Sequence, residues 1–214
     1  MKNYLKGQGL NQEVKMSFRI EEKLYIKSEN LIQFQEFLKK NKSVRTIHHP
    51  RIIESLYFEN LNLDMYSDSM EGLLPRKKMR IRNYPKDEDG KTYLEVKNSS
   101  IEGRFKTRKI ISNLDFERYK SSGLFDNQYG VCFPKLYVKY DREYSIFEDV
   151  RISIDKNIQY KDYKTNLKLS DDRIIVELKT SINKNLDKLM EDFPIQRIRF
   201  SKYCFGVEKL YNFN

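Results

Sequence analysis

The chain has 214 residues, 34% of them charged and 39% apolar, with a formal net charge of +10. That length fits one domain, or one domain with a small appendage, and is enough to bury a substantial core. The cationic excess selects polyanionic partners such as nucleotides, polyphosphate, nucleic acid or anionic lipid. The two cysteines exclude a disulfide scaffold, and no apolar run reaches the roughly 18 to 20 residues of a bilayer span, so the chain reads as soluble and cytoplasmic.

Residues 1–16 are polar and aperiodic and read as a flexible lead, with the domain over 17–214. From Phe18 to Ile26 apolar and polar residues alternate, which predicts a strand. Ser28 reads as an N-cap for a helix over Asn30 to Lys40, whose apolar stripe is Leu31, Phe34, Phe37 and Leu38. Strands are predicted over Ile52–Glu59, Arg76–Tyr84, Lys91–Asn98, Arg104–Ile111, Leu136–Tyr144, Val150–Asp155 and Arg173–Thr180. Leu61–Met70 reads as a short helical or looped link, and Pro85–Gly90 as a hairpin turn. Helices are predicted over Leu114–Lys120, Lys184–Met190 and Ser201–Tyr211. The pattern is α+β: an antiparallel barrel of about eight strands, closed or nearly so, with flanking helices.

The ions sit inside these strands. Lys78, Arg80 and Arg82 alternate with Met79 and Ile81, and Glu95 and Lys97 with Leu94 and Val96. Arg104, Lys106 and Arg108 occupy every second position of the next strand. Arg151, Ser153 and Asp155 alternate with Ile152 and Ile154, and Glu177 and Lys179 with Val176 and Leu178. One such strand is an ordinary sheet with a wet face. Repeated from strand to strand, bases at successive same-face positions repel one another unless they converge on a shared anion. Arg supplies forked donors matched to phosphate oxygens and Lys supplies point charges. The acids on those faces, Glu21, Glu95, Asp155 and Glu177, are either carboxylate ligands for a hard divalent ion or counter-ions that hold the bases in place. His48 and His49 precede Pro50 in a predicted loop and carry no assigned chemistry. Phe34, Phe37, Phe133, Phe147 and Phe200 are assigned to packing, and Cys132 and Cys204 to buried positions.

Arg19-Ile20-Glu21-Glu22-Lys23, Lys78-Met79-Arg80-Ile81-Arg82, Leu94-Glu95-Val96-Lys97, Tyr140-Asp141-Arg142, Arg151-Ile152-Ser153-Ile154-Asp155, Val176-Glu177-Leu178-Lys179 and Ser201-Lys202-Tyr203 occur in this order. Together they resemble the ordered motifs of the VTC domain, the polyphosphate-polymerase branch of the triphosphate tunnel metalloenzymes. Arg19 stands where the wider superfamily begins Glu-x-Glu-x-Lys, which favours the VTC branch. The resemblance implies a triphosphate tunnel that uses Mn²⁺ or Mg²⁺ and transfers the terminal phosphoryl group of ATP to a growing polyphosphate chain. It implies that Lys23, Lys78, Arg80, Arg82, Lys97, Lys106, Arg108, Tyr140, Arg142, Arg151, Lys179 and Lys202 bind substrate. Of these, Arg80, Arg82, Lys97, Arg142, Arg151 and Lys179 are the candidate catalytic set. Glu177 is the preferred metal ligand, with Glu21, Glu95 and Asp155 behind it. A tripolyphosphatase or nucleoside triphosphatase of the same fold, and a non-catalytic polyphosphate-binding module, remain open alternatives. Nucleic acid ranks last, because the bases share strand faces with acids instead of forming exposed stripes interleaved with aromatics.

Overall fold

A computed structural model describes residues 13–16, 19–40, 43–181 and 196–211. Its strands are β1 (Glu13–Met16), β2 (Arg19–Ile26), β3 (Val44–Glu59), β4 (Arg76–Asn83), β5 (Thr92–Ser100), β6 (Gly103–Ile111), β7 (Leu124–Asp126), β8 (Gly130–Phe147), β9 (Val150–Asp162), β10 (Lys168–Asp171), β11 (Ile174–Ser181) and β12 (Gln196–Arg197). The α-helices among the described residues are α1 (Leu31–Lys40), α2 (Asp64–Glu71), α3 (Asn113–Ser122) and α4 (Lys202–Tyr211). The helix expected over Lys184–Met190 lies outside the described residues.

The α+β class holds, but the closed barrel does not. The strands form one antiparallel sheet in the order β1-β6-β5-β4-β3-β8-β9-β11-β2-β12, with β10 added beside β9 and β7 beside β8. The path ends at β1 on one side and β12 on the other, and among the described residues no ladder joins them. Both edge strands are short, four and two residues. The sheet is therefore an open, curved wall and not an eight-stranded cylinder.

Within that wall the predicted alternation is observed. On the outer face, Leu24, Ile26, Ile152, Ile154, Val176 and Leu178 pack with Phe34 and Leu38 of α1. Further along, Leu56, Phe58, Met79 and Ile81 pack with Met65 of α2, and Phe116 and Tyr119 of α3 rest against them. Each fully buried side chain of this kind contributes about 1.5–3 kcal/mol. Ser28 does not cap α1. It opens a short 3₁₀ turn, Ser28–Asn30, that runs into the helix. The start of α2 is satisfied from below by the buried carboxylate of Glu59, which accepts from the backbone N–H of Met65 (3.1 Å) and Tyr66 (2.9 Å).

Three strands run well past their predicted ends, among them β8, which spans Gly130–Phe147 instead of Leu136–Tyr144. The β3 strand begins at Val44 and includes His48, His49 and Pro50, so the expected loop there is a strand. Register shifts between Thr46 and His48 and between His48 and Arg51 absorb the break in its alternation. The β9 strand continues to Asp162 through another irregularity. Lys139 pairs with Gln159 but Asp141 pairs with Lys156, so β9 carries an extra residue there, and Asn157 takes a left-handed φ of 55°. That insertion reverses the alternation, so Arg151, Ser153 and Asp155 share the inner face with Ile158 and Tyr160.

At one end of the inner face the sheet is apolar and covered by α4. Tyr203, Cys204, Val207 and Leu210 pack onto Leu136, Val138, Ile158, Tyr160 and Ile175. Gly206 permits the close approach: a Cβ there would lie 2.5 Å from Tyr160 Cδ1 and 2.7 Å from Leu136 Cδ2. Beyond the start of α4 the inner face becomes charged. No described helix is long and apolar enough to cross a membrane.

Candidate anion-binding site

The charged part of the inner face lines a cavity of about 1140 Å³. Lys23 and Glu21 reach it from β2, Lys78, Arg80 and Arg82 from β4, Lys97 from β5, and Lys106 and Arg108 from β6. Tyr140 and Arg142 come from β8, Arg151 from β9, Glu177 and Lys179 from β11 beside β2, and Lys202 from α4. The candidate binding and catalytic residues thus share one cavity wall. Their roles there are chemical questions, taken up below.

Two acids are fully enclosed beneath the bases. Glu95 accepts from Arg80 Nε (2.9 Å) and Nη2 (2.6 Å) on one oxygen and from Lys106 Nζ (2.5 Å) on the other. Arg108 Nε lies 3.3 Å away and Arg82 Nη1 4.0 Å. Asp155 accepts from Arg142 Nε (2.5 Å) and Nη2 (2.7 Å) and from Lys202 Nζ (2.5 Å). Burial alone would raise both carboxyl pKa values. For Glu95, Arg80, Arg82 and Lys106 overcome that effect, and for Asp155, Arg142 and Lys202 do. Both are held below the usual carboxylate range. They orient the bases, and their oxygens are spent on ion pairs, so the counter-ion reading fits them better than the ligand reading.

Glu177 and Glu21 differ. They converge on one ammonium: Lys179 Nζ is 2.5 Å from Glu177 Oε1 and 3.8 Å from Glu21 Oε2. Arg142 Nη2 is 3.8 Å from Glu177, and Lys23 Nζ 3.7 Å from Glu21. Burial and mutual repulsion raise the Glu21 pKa, but Lys179, Lys97 and Lys23 bring it below the usual value. Glu177 is lowered too: Lys179, Arg142 and Lys23 outweigh its burial. Both therefore line the cavity as carboxylates.

The cations fall into two sets. Arg82 donates to Ser55 Oγ (3.0 Å) and Tyr140 Oη (3.1 Å), Arg80 to Tyr57 Oη (2.8 Å), and Lys78 to Ser201 Oγ (2.9 Å). Lys23 donates to the Phe200 carbonyl (2.7 Å). These are pinned. Lys97 and Arg151 open onto the cavity and form no ion pair with a carboxylate among the described residues. Enclosure by the cavity walls and the neighbouring Arg80 press the Lys97 ammonium well below the lysine range. Lys106, lowered by burial and only partly supported by Glu95, falls to about 8.

Several residues of the wall were missed in the sequence. Tyr57 stacks on Tyr203 with centroids 5.1 Å apart, and the Tyr203 hydroxyl donates to Glu59. Ser55 and Tyr57 lie two apart on the inner face of β3 with Ile53 and Glu59, an alternation legible in hindsight. His48, assigned to a loop, lines the cavity mouth and contacts Arg51.

Residues 18–211 match the VTC domain. The chain belongs to the VTC domain family. Membership of that catalytic family makes the protein an enzyme, fits it to nucleotide or polyphosphate chemistry of the phosphotransfer type, and implies a metal-dependent mechanism in general. No curated protein matches the chain. Solved structures share the fold at low identity. A Bacillus halodurans protein described as a candidate adenylate cyclase has a TM-score of 0.60 at 12% identity, covering 86% of this chain and 96% of its own. The PH1819 protein of Pyrococcus horikoshii has 0.59 at 18%, covering 90% and 99%. HpAC1 of Hippeastrum, described as having a dominant triphosphatase activity, has 0.56 at 16%, covering 90% and 96%.

For this VTC domain protein the metal question turns on the donor set. No group of three or more His, Cys, Asp or Glu among the described residues is placed to hold an ion. Magnesium, however, is commonly held by one or two carboxylates together with substrate phosphates and water. The Glu21–Glu177 pair fits that smaller requirement, and Glu95 and Asp155 do not enter it.

Proposed function

We propose that the cavity binds the triphosphate of ATP and passes its terminal phosphoryl group to an inorganic polyphosphate chain. The observation that carries this reading is the pairing pattern: buried acids fix Arg80 and Arg142, hydroxyls fix Arg82, and among the described residues Lys97 and Arg151 face the cavity with no carboxylate within ion-pair distance. A polyanion is the counter-charge such a wall requires. On this reading residues 17–214 act as one VTC-like domain.

Phosphoryl transfer needs in-line positioning and positive charge on the oxygens of the transferred group. Arg80, Arg82 and Arg142 would supply forked donors whose orientation is set before substrate arrives. Lys97, Arg151 and Lys179 would supply charge along the chain of phosphates, and Lys23, Lys78, Lys106, Arg108, Tyr140 and Lys202 would extend the grip. Glu21 and Glu177 would hold Mn²⁺ or Mg²⁺, which would supply further positive charge against the phosphates. A terminal phosphate of the acceptor is already anionic and needs no base. Water does need one, and Glu21, Glu95, Asp155 and Glu177 all have lowered pKa values that make them weak bases. This favours transfer to phosphate over hydrolysis.

One observation favours the hydrolytic alternative. The apolar packing of α4 fills one end of the concavity, which suits a short triphosphate better than a threading polymer, and HpAC1, of similar fold, is described as a triphosphatase. A turnover assay with ATP and Mn²⁺ or Mg²⁺, with and without a short polyphosphate primer, separates the two. Polymer on a polyphosphate gel, lost in Arg151→Ala and Glu177→Gln, is the expected result. Free phosphate without polymer would replace transfer by hydrolysis. Binding without turnover would refute both reactions.

A further inference from the structure

The mouth of the cavity farthest from α4 is built from different material. Register brings its residues together in pairs across neighbouring strands: Arg82 with Tyr93, Arg51 with Arg142, and His48 with Tyr144. The Arg108 guanidinium lies 3.5 Å from the Tyr93 ring centroid and 5.8 Å from that of Tyr84. The Arg51 guanidinium is 5.1 Å from the Tyr84 centroid, and the His48 and Tyr144 rings are 5.4 Å apart. His48, Tyr84 and Tyr144 line the cavity, and all three rings are only partly buried. Tyr84 rests against the edge of the apolar cluster that α4 covers, whereas Tyr93 and Tyr144 belong to none of the three apolar clusters, so packing of the core does not account for those two.

Phosphates have no use for such rings, whose faces carry partial negative charge. A flat, neutral heteroaromatic group does, since it stacks on tyrosine and on guanidinium planes alike. The same mouth opens directly onto Arg82, Arg142 and Arg151. We infer that this aromatic mouth is a nucleobase subsite, with the base of a purine nucleoside triphosphate against Tyr84 and Tyr144 and its phosphates running inward to Arg82, Arg142 and Arg151. The inference rests on the reading that the cavity takes triphosphates. A purine is preferred because its larger π-face offers more stacking than a pyrimidine.

Calorimetric titrations of ATP, CTP and tripolyphosphate test it, on the wild type and on Tyr84→Ala, Tyr144→Ala and Tyr144→Phe. Loss of a stacking ring should weaken ATP roughly ten-fold or more while tripolyphosphate binding is retained. Tyr144→Phe, which keeps the ring, should keep the ATP affinity. Equal weakening of ATP and tripolyphosphate, or no weakening of ATP in either alanine variant, overturns the subsite. Where an alanine variant fails to fold, the wild type decides: ATP bound more tightly than CTP upholds the subsite, and equal affinity overturns it with the triphosphate reading intact. A wild type that binds neither nucleotide nor tripolyphosphate overturns both.

Discussion

Arg80 and Glu95 meet across neighbouring strands β4 and β5, with both Nε and Nη2 of the arginine within 2.9 Å of one carboxylate oxygen. Glu95 is wholly buried, and Lys106 holds its other oxygen. Removing its charge would leave Arg80, Arg82, Lys106 and Arg108 facing one another without a counter-ion. Breaking a buried pair from one side costs about 3–5 kcal/mol. Glu95→Gln should therefore lower stability by that order in chemical denaturation. Tripolyphosphate should recover more of the loss in the variant than it adds to the wild type, because an anion in the cavity replaces the missing charge. Denaturation with and without the ligand checks both halves.

The unpaired bases should behave in the opposite way. Among the described residues Lys97 and Arg151 form no close ion pair, and Lys97 is crowded by Arg80 and Lys179 while it is drawn to Glu21 and Glu177, so Lys97→Ala and Arg151→Ala should leave the melting temperature nearly unchanged. If they stabilise charge that develops during transfer, turnover should fall roughly 10²- to 10³-fold. Arg142→Ala is the contrast: it strips the bidentate partner from buried Asp155 and should cost both activity and stability. A matched set of melts and turnover rates for the three variants distinguishes functional from structural cations.

Acid should destabilise the fold steeply. Glu21, Glu95, Asp155 and Glu177 all have folded-state pKa values below their ordinary ones. Their contribution is complete above the unfolded carboxylate value of about 4 and is lost as pH falls through the lower folded values. Glu59, raised by burial, works in the opposite sense but is a single group. Thermal melts from neutral pH down to about 3 should show the transition temperature dropping once pH passes below about 4. Asp155→Asn should flatten that slope while lowering stability at neutral pH.

Much of this site is legible in the sequence because a strand cannot hide its alternation. Arg80 and Arg82 against Met79 and Ile81, or Glu177 and Lys179 against Val176 and Leu178, declare one charged and one apolar face whatever the sheet does next. Closure is another matter. Whether two edges meet depends on twist, bulges and the length of β1 and β12, and period-two patterning encodes none of these. The extra residue near Asn157 cannot be read from a pattern that assumes strict alternation, and neither can the strand through His48-His49-Pro50. The roles of the acids were equally hidden. Glu95 and Glu177 look alike in sequence, and only their neighbours make one a buried counter-ion and the other half of a carboxylate pair.

Ligand binding should take up protons in mildly alkaline solution. Lys106 has a pKa of about 8, and Lys97 is also well below the usual lysine value. Near or above pH 8 Lys106 is partly neutral in the free protein, and Lys97 holds its proton less firmly than an ordinary lysine. A phosphate chain beside them favours the ammonium forms, so binding raises their pKa values and draws in protons. Calorimetry of tripolyphosphate binding in buffers of different ionisation enthalpy should show net uptake near pH 8, with affinity falling as pH rises further. Lys106→Arg, which stays charged, should reduce the uptake and soften the decline in affinity.

Gly206 tests whether α4 is part of the site or merely covers it. The helix sits tightly on β8 and β9, and a methyl group at Gly206 would meet Tyr160 and Leu136 well inside contact distance. Both residues belong to the packed inner core, so neither can move aside as a flexible surface chain would. Gly206→Ala should cost about 1–3 kcal/mol, the usual range for overpacking. The helix also carries Lys202 to Asp155 and Tyr203 to Glu59, and Lys78 reaches Ser201 just before it. Displacing α4 should therefore weaken tripolyphosphate binding although no cation is deleted. If Gly206→Ala lowers stability by this amount yet binds tripolyphosphate as the wild type does, α4 is only a cover and Lys202 has no part in the grip. If affinity falls together with stability, and Lys202→Ala reproduces the affinity loss with a smaller stability change, the helix positions a working base of the cavity.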